Sequence, residues 1–192
     1  MPFRHSILAV EICYPLQPGG TLVGQLRQAI EQHPAQASPR DKWAFYRWLS
    51  ETLYNNLHAA VSGCWDFFDD DARAQSDFNM WFQGMATREG ARPAPSGVGD
   101  PYRGDLRYLT FTIALLLRRD APSERHLAGV CDVPEALLWQ RATFARVLQS
   151  LPSLSFAAVK GDVVYLIPRE TDWGLTGGDL REPKFHYLRP IS

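Results

Sequence analysis

Residues 106–117 read LRYLTFTIALLL, and this stretch decides the fold class. From Leu109 to Leu117 apolar side chains fall on alternate positions, with Thr110 and Thr112 between them. A period of two in a segment of β-branched, aromatic and aliphatic residues predicts a strand rather than a helix. The segment is also too short to cross a membrane as a helix. We therefore predict a buried β-strand over Leu106–Leu117.

Other regions also have the composition of strands. Ser6–Tyr14 is rich in apolar residues and ends at Pro15, as a first strand would. Ser153–Val159 and Val163–Ile167 flank the tripeptide Lys160-Gly161-Asp162. A short connection that contains glycine is typical of a β-hairpin. Together with the first segment, these regions predict a sheet of three to four strands, mixed or mostly antiparallel.

The rest of the chain shows apolar residues at helical spacing. Ser38 is a typical N-cap, and Pro39 suits the first position of a helix. Asp132, followed by Glu135, has the pattern of a second capped start. The predicted helices run from Leu22 to Ile30, from Ser38 to about Cys64, from Asp69–Asp71 to Met85, from Ser123 to Val130 and from Asp132 to about Leu151.

These elements predict a single α+β domain over residues 1–192, with a three- to four-stranded mixed sheet packed with about five helices. Residues 87–104 are rich in Gly and Pro and predict a flexible loop within that domain. The composition is that of a folded chain, because 45% hydrophobic and 21% charged residues are ordinary values for globular proteins.

Charge and cysteine usage restrict the class of protein. The net charge of −1 provides no field that would attract a polyanion or an anionic membrane. Cys13, Cys64 and Cys131 are scattered, which favours reduced thiols over a disulfide framework. The apolar run Ile7–Tyr14 is short and is interrupted by Glu11, unlike a signal peptide or a membrane span. We therefore predict a cytoplasmic protein without membrane insertion.

Motifs that would indicate chemistry are missing from the sequence. Gly19-Gly20-Thr21 lacks the lysine of a phosphate-binding loop, and no G-x-S-x-G or CxxC occurs. Cys131, His126 and Asp132 are the Cys, His and Asp residues that could most easily form a catalytic group. A turn beside a helix cap is the favoured interpretation of these three residues. The cluster Asp69–Asp71 lacks the order of a calcium loop, so helix capping is favoured over cation binding, which stays open. The sequence predicts no catalytic, metal or cofactor residues and hence no enzyme.

Three segments carry a resemblance to a known family. They are the strand from Tyr108 to Leu116, the helix with Ala74 and Asp77-Phe78-Asn79, and the C-terminal pattern of Val163–Pro168, Asp172, Leu175-Thr176, Asp179-Leu180 and Tyr187–Pro190. In this order they resemble an uncharacterised domain-of-unknown-function family of predicted thylakoid or chloroplast membrane proteins. Members of that family typically carry an N-terminal membrane segment and a Gly-rich stretch, neither of which this sequence shows. The resemblance implies no catalytic residues.

Four aromatic residues, Trp43, Phe45, Tyr46 and Trp48, are crowded into the start of the predicted second helix. At about 100° per residue they point all round the helix axis, so one core face does not absorb them all. Either this helix is central and wrapped by other elements, or some of the rings contact a partner. We take the second alternative as the leading hypothesis. The protein would then be a non-enzymatic protein-interaction or assembly subunit that binds another protein or a second copy of itself.

The alternative hypothesis is a winged-helix DNA-binding regulator that uses residues 123–167. A short helix, a tight turn, a longer helix and a hairpin follow one another there in the required order. Gln140, Arg141, Thr143 and Arg146 would lie on the helix that reads DNA. The local charge is near neutral, whereas phosphate contacts call for a basic surplus, so the charge argues against nucleic acid as a partner.

Overall fold

The computed structural model describes residues 4–17, 19–87, 97, 99, 104–168 and 173–192. The α-helices in these residues are α1 (Thr21–Glu31), α2 (Pro39–Asn56), α3 (Asp71–Thr87), α4 (Pro122–Cys131) and α5 (Arg141–Ser150). The strands are β1 (His5–Pro15), β2 (Ser62–Phe68), β3 (Arg107–Arg118), β4 (Val159–Ile167), β5 (Leu175–Thr176) and β6 (Arg189–Pro190). The predicted α+β class is confirmed.

All six strands belong to one sheet, and the strand pairs within the described residues are antiparallel. The order is β4-β3-β1-β2-β6, and β5 pairs with β3. The predicted number of three to four strands is therefore wrong, and of the two predicted arrangements, mixed or mostly antiparallel, the structure has the antiparallel one. Two of the missed strands, β5 and β6, have only two residues each, which is too short for a periodic pattern to show in a sequence.

β1 is a central strand, and its two faces are covered differently. Leu8, Val10 and Ile12 point into the main apolar core, which α1, α2, α4 and α5 complete. Ala9 and Glu11 lie on the opposite face, because successive side chains of a strand alternate. That second face is covered by α3 and by the C-terminal segment, which here means the residues from Lys184 to Tyr187. Both faces of β1 are thus buried, as the run of apolar residues in its sequence indicates.

Local sequence explains where several helices begin. The Ser38 hydroxyl accepts a hydrogen bond from the backbone N–H of Asp41 at 3.2 Å, so the predicted cap of α2 is confirmed. At the start of α3, the Asp70 carboxylate accepts a hydrogen bond from the backbone N–H of Arg73 at 2.9 Å. Pro122 is in the first turn of α4, where its missing N–H leaves no hydrogen bond unmade.

The predicted second helix is longer than the observed one. Its predicted end is near Cys64, whereas α2 ends at Asn56 and β2 begins at Ser62. Arg141 of α5 donates hydrogen bonds to the backbone oxygens of Leu57 and Ala60, just beyond the helix end. This contact depends on tertiary structure. Leu57, Ala60 and Cys64 keep helical spacing in the sequence although the chain there is not α-helical.

The predicted helix from Asp132 to about Leu151 is also wrong in its first part. Asp132 is the C-cap of α4, and α5 begins only at Arg141. The Thr143 hydroxyl donates to the carbonyl of Leu137 at 2.7 Å, and the indole of Trp65 donates to the carbonyl of Leu138 at 2.9 Å. These side chains occupy backbone acceptors that a continuous helix would have used.

The predicted hairpin at Lys160-Gly161-Asp162 does not form. β4 is one strand of nine residues, and it runs straight through this tripeptide. Gly161 pairs with Leu116 and Val159 pairs with Leu117, so Lys160 is an extra residue in the strand. Glycine marks bulges as well as turns, and the sequence alone does not separate the two.

The predicted loop at residues 87–104 lies almost wholly outside the described residues. The first residue of that predicted loop, Thr87, is the last residue of α3.

Two glycines allow neighbouring elements to approach the sheet closely. A Cβ atom on Gly63 of β2 would lie 2.8 Å from a ring carbon of Phe144 in α5. A Cβ atom on Gly161 of β4 would lie 2.7 Å from the ring tip of Phe78 in α3. Both distances are well inside van der Waals contact, so a larger residue would push the helix away from the sheet.

Replacing Gly161 with alanine therefore tests how α3 is seated. We expect Gly161→Ala to lower the free energy of unfolding by about 1–3 kcal/mol, the usual effect of overpacking. Gly129→Ala is the matched control, since Gly129 lies in α4 with no atom within 4 Å of the added methyl group. Alanine should stabilise that helix by about 0.5–1 kcal/mol. Urea unfolding of both variants measures this, and a neutral Gly161→Ala would contradict the close packing of Phe78.

Candidate functional site

Glu11 lies in the middle of the central strand β1, on the face that α3 covers. Its partners in the neighbouring strands are Cys64 of β2 and Thr112 of β3. Only 1% of the residue is exposed. Acidic side chains are rarely buried to this extent unless they are paired, so this carboxyl is the most unusual polar group on the sheet.

The hydrogen bonds around Glu11 do not satisfy all the polar atoms there. The hydroxyl of Tyr187 donates to Glu11 Oε2 at 3.0 Å. Glu11 Oε1 makes no hydrogen bond of standard geometry among the described residues, and neither does the hydroxyl of Thr110 or of Thr112, although both hydroxyls lie close enough to Glu11 to lower its pKa. Unmatched buried polar atoms are few in native proteins and are often explained by a bound group or a function.

The environment of Glu11 changes its protonation. Burial raises the pKa of Glu11 to about 7, and the nearby hydroxyls of Thr110, Tyr187 and Thr112 offset only part of this effect. Burial, together with the negative charge of Glu11, also raises the pKa of Tyr187 and of Tyr165. Both phenols therefore remain protonated at neutral pH, while Glu11 gains and loses its proton there.

A cavity of about 430 Å³ lies above Glu11, between α3 and the sheet. We call it the Glu11 cavity: Glu11 is at its floor, and its walls include the rings of Phe68, Trp81, Tyr165 and Tyr187. Such a combination of apolar walls and a few polar groups is typical of small-molecule sites.

Small side chains on the sheet determine how α3 sits beside this cavity. Ala9, Ala114 and Val163 form a patch on three neighbouring strands. Phe78 and Trp81 of α3 pack against that patch. The short side chains let these two rings reach the sheet, and the cavity opens next to the contact.

The two basic residues at the rim of the cavity already have acidic partners. Arg73 forms an ion pair with Asp77, with Nε and Oδ2 at 3.5 Å, and its guanidinium lies 3.6 Å from the centre of the Phe68 ring. Lys184 forms an ion pair with Glu182 at 3.0 Å. The positive charge at the rim is thus largely neutralised within the protein itself.

Asp66 also lines the cavity, at its exposed edge, and pairs with Ala9 across the sheet. Partial burial raises its pKa, although the nearby Arg73 opposes the shift. Among the described residues Asp66 forms no ion pair within 4 Å. Glu11 and Asp66 are therefore the two cavity carboxyl groups without an ion pair in the described part of the chain, although the charge of Arg73 also acts on Asp66.

The four aromatic residues predicted to bind a partner differ in their exposure. Tyr46 is fully buried, and its hydroxyl donates to the carboxylate of Asp162 at 3.1 Å. Phe45 and Trp48 are half-buried against the main core. Trp43 is 37% exposed. Tyr46 is therefore unavailable to a partner, and Trp43 has the most accessible ring of the four.

The Asp162 carboxylate lies at the centre of a second polar cluster, on the opposite side of the sheet. Its side chain is 3% exposed and accepts from His33 Nε2 at 2.9 Å, from Lys42 Nζ and from the Tyr46 hydroxyl. Burial works to raise the pKa of Asp162, but the hydrogen bonds from His33 and Lys42 outweigh it and hold that pKa below its ordinary value. The carboxylate has partners on both oxygens, so this cluster ties α2 and the residues just after α1 to β4.

The residues of the DNA-binding hypothesis are largely engaged within the protein. Arg141 donates to backbone carbonyls beyond α2, Thr143 donates to the Leu137 carbonyl, and Arg146 donates to the Val130 carbonyl at 2.7 Å. Gln140 is the exposed N-cap of α5. The hairpin that would form the wing does not exist, since β4 is a single strand. DNA binding therefore stays an untested prediction. The hairpin that a winged helix requires is not found in residues 159–167.

The carboxylates of Asp69–Asp71 have partners in the protein. Asp69 forms an ion pair with Arg119 at 2.8 Å, and Asp70 caps α3. Asp71 Oδ1 accepts from the backbone N–H of His5 at 2.7 Å and contacts its ring at 2.8 Å. In the described part of the chain, no three His, Cys, Asp or Glu side chains gather in a way that would hold a metal ion.

The three cysteines are free thiols. Burial raises the pKa of Cys13, Cys64 and Cys131 to about 12 in each case. Because the thiolate is the reactive form, none of them is activated as a nucleophile.

Sequence reasoning missed Glu11 as a functional residue. It noted Glu11 only as a charge that interrupts the apolar run Ile7–Tyr14. The signal was nevertheless present, because a lone acid in the middle of a strand with both faces buried has no access to water. The neighbours that complete the cavity come from β2, α3, β4 and the C-terminal segment, and no spacing in the sequence connects them.

Comparisons with known proteins found no match to this chain. No protein-family model matches the chain, and no curated protein and no solved structure gives a significant match. The family resemblance described from the sequence stays a prediction. In the described residues, no helix has both the length and the apolar character that crossing a membrane requires.

The raised pKa of Glu11 has a measurable effect on stability. Its ordinary value of 4.5 applies to the unfolded chain, whereas the folded protein holds the proton up to about pH 7. The folded state therefore binds this proton more tightly, and the stabilisation is complete below about pH 4.5 and disappears as the pH rises through 7. Over this range we expect a loss of about 3 kcal/mol.

The variant Glu11→Gln carries no ionisable group at this position, so its stability should not fall in this way. At about pH 8 it should be more stable than the wild type, by as much as about 3 kcal/mol. Urea unfolding between about pH 5 and pH 8 measures the difference. Glu51→Gln, at a solvent-exposed position of α2, is the control. Identical pH profiles for the wild type and Glu11→Gln would show that Glu11 is not buried in its ionised form.

Proposed function

We propose that this protein binds a small organic molecule in the Glu11 cavity. The observation that supports this most strongly is a fully buried carboxyl group with an unpartnered oxygen at the floor of a cavity with aromatic walls. A ligand that donates a hydrogen bond to Glu11 would satisfy that oxygen, and its apolar part would cover the rings.

The size and the lining of the cavity support the proposal. A volume of about 430 Å³ lies within the range of about 300–1,000 Å³ for ligand sites. The walls combine aromatic rings with few polar groups, which is the composition that binds and orients small molecules.

The energetics of Glu11 also support it. A carboxyl group with a pKa of about 7 destabilises the ionised protein at physiological pH. An apolar residue at this strand position would avoid that penalty, as Ala9 and Cys13 do on the same face. Perturbed carboxyl groups in cavities are concentrated at functional sites.

Filling the cavity should weaken binding. Cys64 lines the cavity, so Cys64→Leu places a larger side chain inside it. A small-molecule screen by saturation-transfer NMR would first identify ligands of the wild type. We expect their affinity for this variant to fall by a factor of about ten or more, which corresponds to at least about 1.4 kcal/mol.

Cys131→Leu is the matched control, because Cys131 is another half-buried cysteine and lies beside a different cavity near Trp139. Circular dichroism confirms the fold of each variant. If Cys131→Leu weakens binding as much as Cys64→Leu does, the ligand does not occupy the Glu11 cavity.

A second candidate function is the protein-interaction role predicted from the start of α2. Trp43 is 37% exposed and Tyr54 is 42% exposed. They are about three helical turns apart and so lie on one face of α2. Exposed aromatic rings of this kind are enriched at interfaces. This face would bind a second copy of the chain.

Light scattering at increasing concentration tests self-association. We expect the wild type to exceed the monomer mass, and the double variant Trp43→Ala/Tyr54→Ala to be a monomer. Phe82→Ala, which removes an exposed ring from α3, is the control and should behave as the wild type. A wild-type protein that is monomeric at every concentration would exclude this second function.

A further inference from the structure

We infer that the ligand of the Glu11 cavity is a small organic ammonium ion, with an aromatic or aliphatic body and at least one N–H group on the charged nitrogen. This inference rests on the proposed function and names the chemical class of its ligand. It follows from the charges, the unpartnered acceptor and the aromatic walls of the cavity.

The charges that face Glu11 leave a negative excess. The titratable and charged groups around the cavity are Cys64 and Asp66 of β2, Tyr165 of β4, Arg73 and Asp77 of α3, and Lys184 and Tyr187 of the C-terminal segment. The phenols and the thiol remain neutral, since burial raises their pKa. Each of the two cations is in an ion pair with an acid. The carboxyl groups without an ion pair among the described residues are those of Glu11 and Asp66, and Arg73 offsets part of the charge of Asp66.

Glu11 can accept a further hydrogen bond. Its Oε2 already accepts from the Tyr187 hydroxyl, while Oε1 makes no hydrogen bond of standard geometry among the described residues, with the Thr110 and Thr112 hydroxyls nearby. An N–H group of an ammonium ion would supply the missing hydrogen bond and neutralise the carboxylate at the same time. A neutral donor would supply the hydrogen bond alone, and an anion would add a second negative charge next to the first.

The walls favour a cation over other donors. Trp81, Tyr165 and Tyr187 present aromatic rings to the cavity. The face of an aromatic ring carries a negative potential and attracts an ammonium ion, most strongly where water is excluded. The rings also cover the apolar part of an organic amine, which a metal ion lacks.

Binding would be linked to the proton of Glu11. An ammonium ion beside the carboxyl group favours its ionised form and so lowers its pKa. Because the free protein holds this proton up to about pH 7, binding near or below that pH releases it. The affinity for an amine should therefore rise with pH through 7, whereas that for a neutral analogue should not.

Three probes of nearly equal size distinguish the ligand classes: 2-phenylethylamine, 2-phenylethanol and phenylacetate. Isothermal titration calorimetry on the full-length protein measures their affinities at about pH 5.5 and about pH 8. At pH 8 we expect the amine to bind about tenfold more tightly than the alcohol, and phenylacetate to bind most weakly. At pH 5.5 the advantage of the amine should shrink severalfold, and titrations in buffers of different ionisation enthalpy should show proton release.

Variants assign the effect to Glu11. Glu11→Gln should lose the preference for the amine and its pH dependence, and the variant is expected to fold because it removes a buried charge. Phe82→Ala, on the exposed face of α3, should bind the amine as the wild type does. Equal affinities for the amine and the alcohol, or a preference for phenylacetate, would overturn the ammonium inference while the proposed binding function stands. Failure of all three probes to bind at millimolar concentration would overturn both.

Discussion

The pairing of β1 with both of its neighbours is the constraint on which the rest of the structure depends. β1 lies between β2 and β3, and it is buried on both sides of the sheet. Four helices bury one face against the main core, and α3 with the C-terminal segment covers the other. Any polar side chain in the middle of β1 is therefore removed from water. Glu11 is the one carboxyl group in that strand, and its burial follows from the position of the strand rather than from its local sequence.

The two faces of the sheet differ in the size of their side chains and in how completely they are packed. The main core is built from large aliphatic and aromatic side chains that stabilise the fold by burial. The second face carries the small residues Ala9, Ala114 and Gly161, which let α3 approach but do not fill the space around Glu11. The Asp162 cluster illustrates the contrast, because its buried carboxylate has partners on both oxygens. At Glu11 one oxygen is left free among the described residues, and a cavity lies beside it.

Much of the secondary structure was predictable from the sequence. β1 and β3 were found from their apolar runs, and the starts of α2 and α3 from Ser38 and the acidic cluster. β5 and β6 were too short to find, and the other errors share one cause, since each concerns a place where a distant contact replaces a local signal. Arg141 satisfies carbonyls beyond the end of α2, Trp65 and Thr143 interrupt the predicted helix after Asp132, and the glycine of the predicted hairpin instead admits Phe78.

The sequence by itself determined the α+β class, the central strands and the absence of recognisable catalytic motifs, because these depend on composition and on periodicity within short segments. Only the tertiary structure decided which polar residue matters. Glu11 acquires its burial, its raised pKa and its unpartnered oxygen from β2, β3, α3 and Tyr187, which lies 176 residues further along the chain. The electrostatic environment of a buried group is the sum of what surrounds it in space, and a linear pattern does not record that sum.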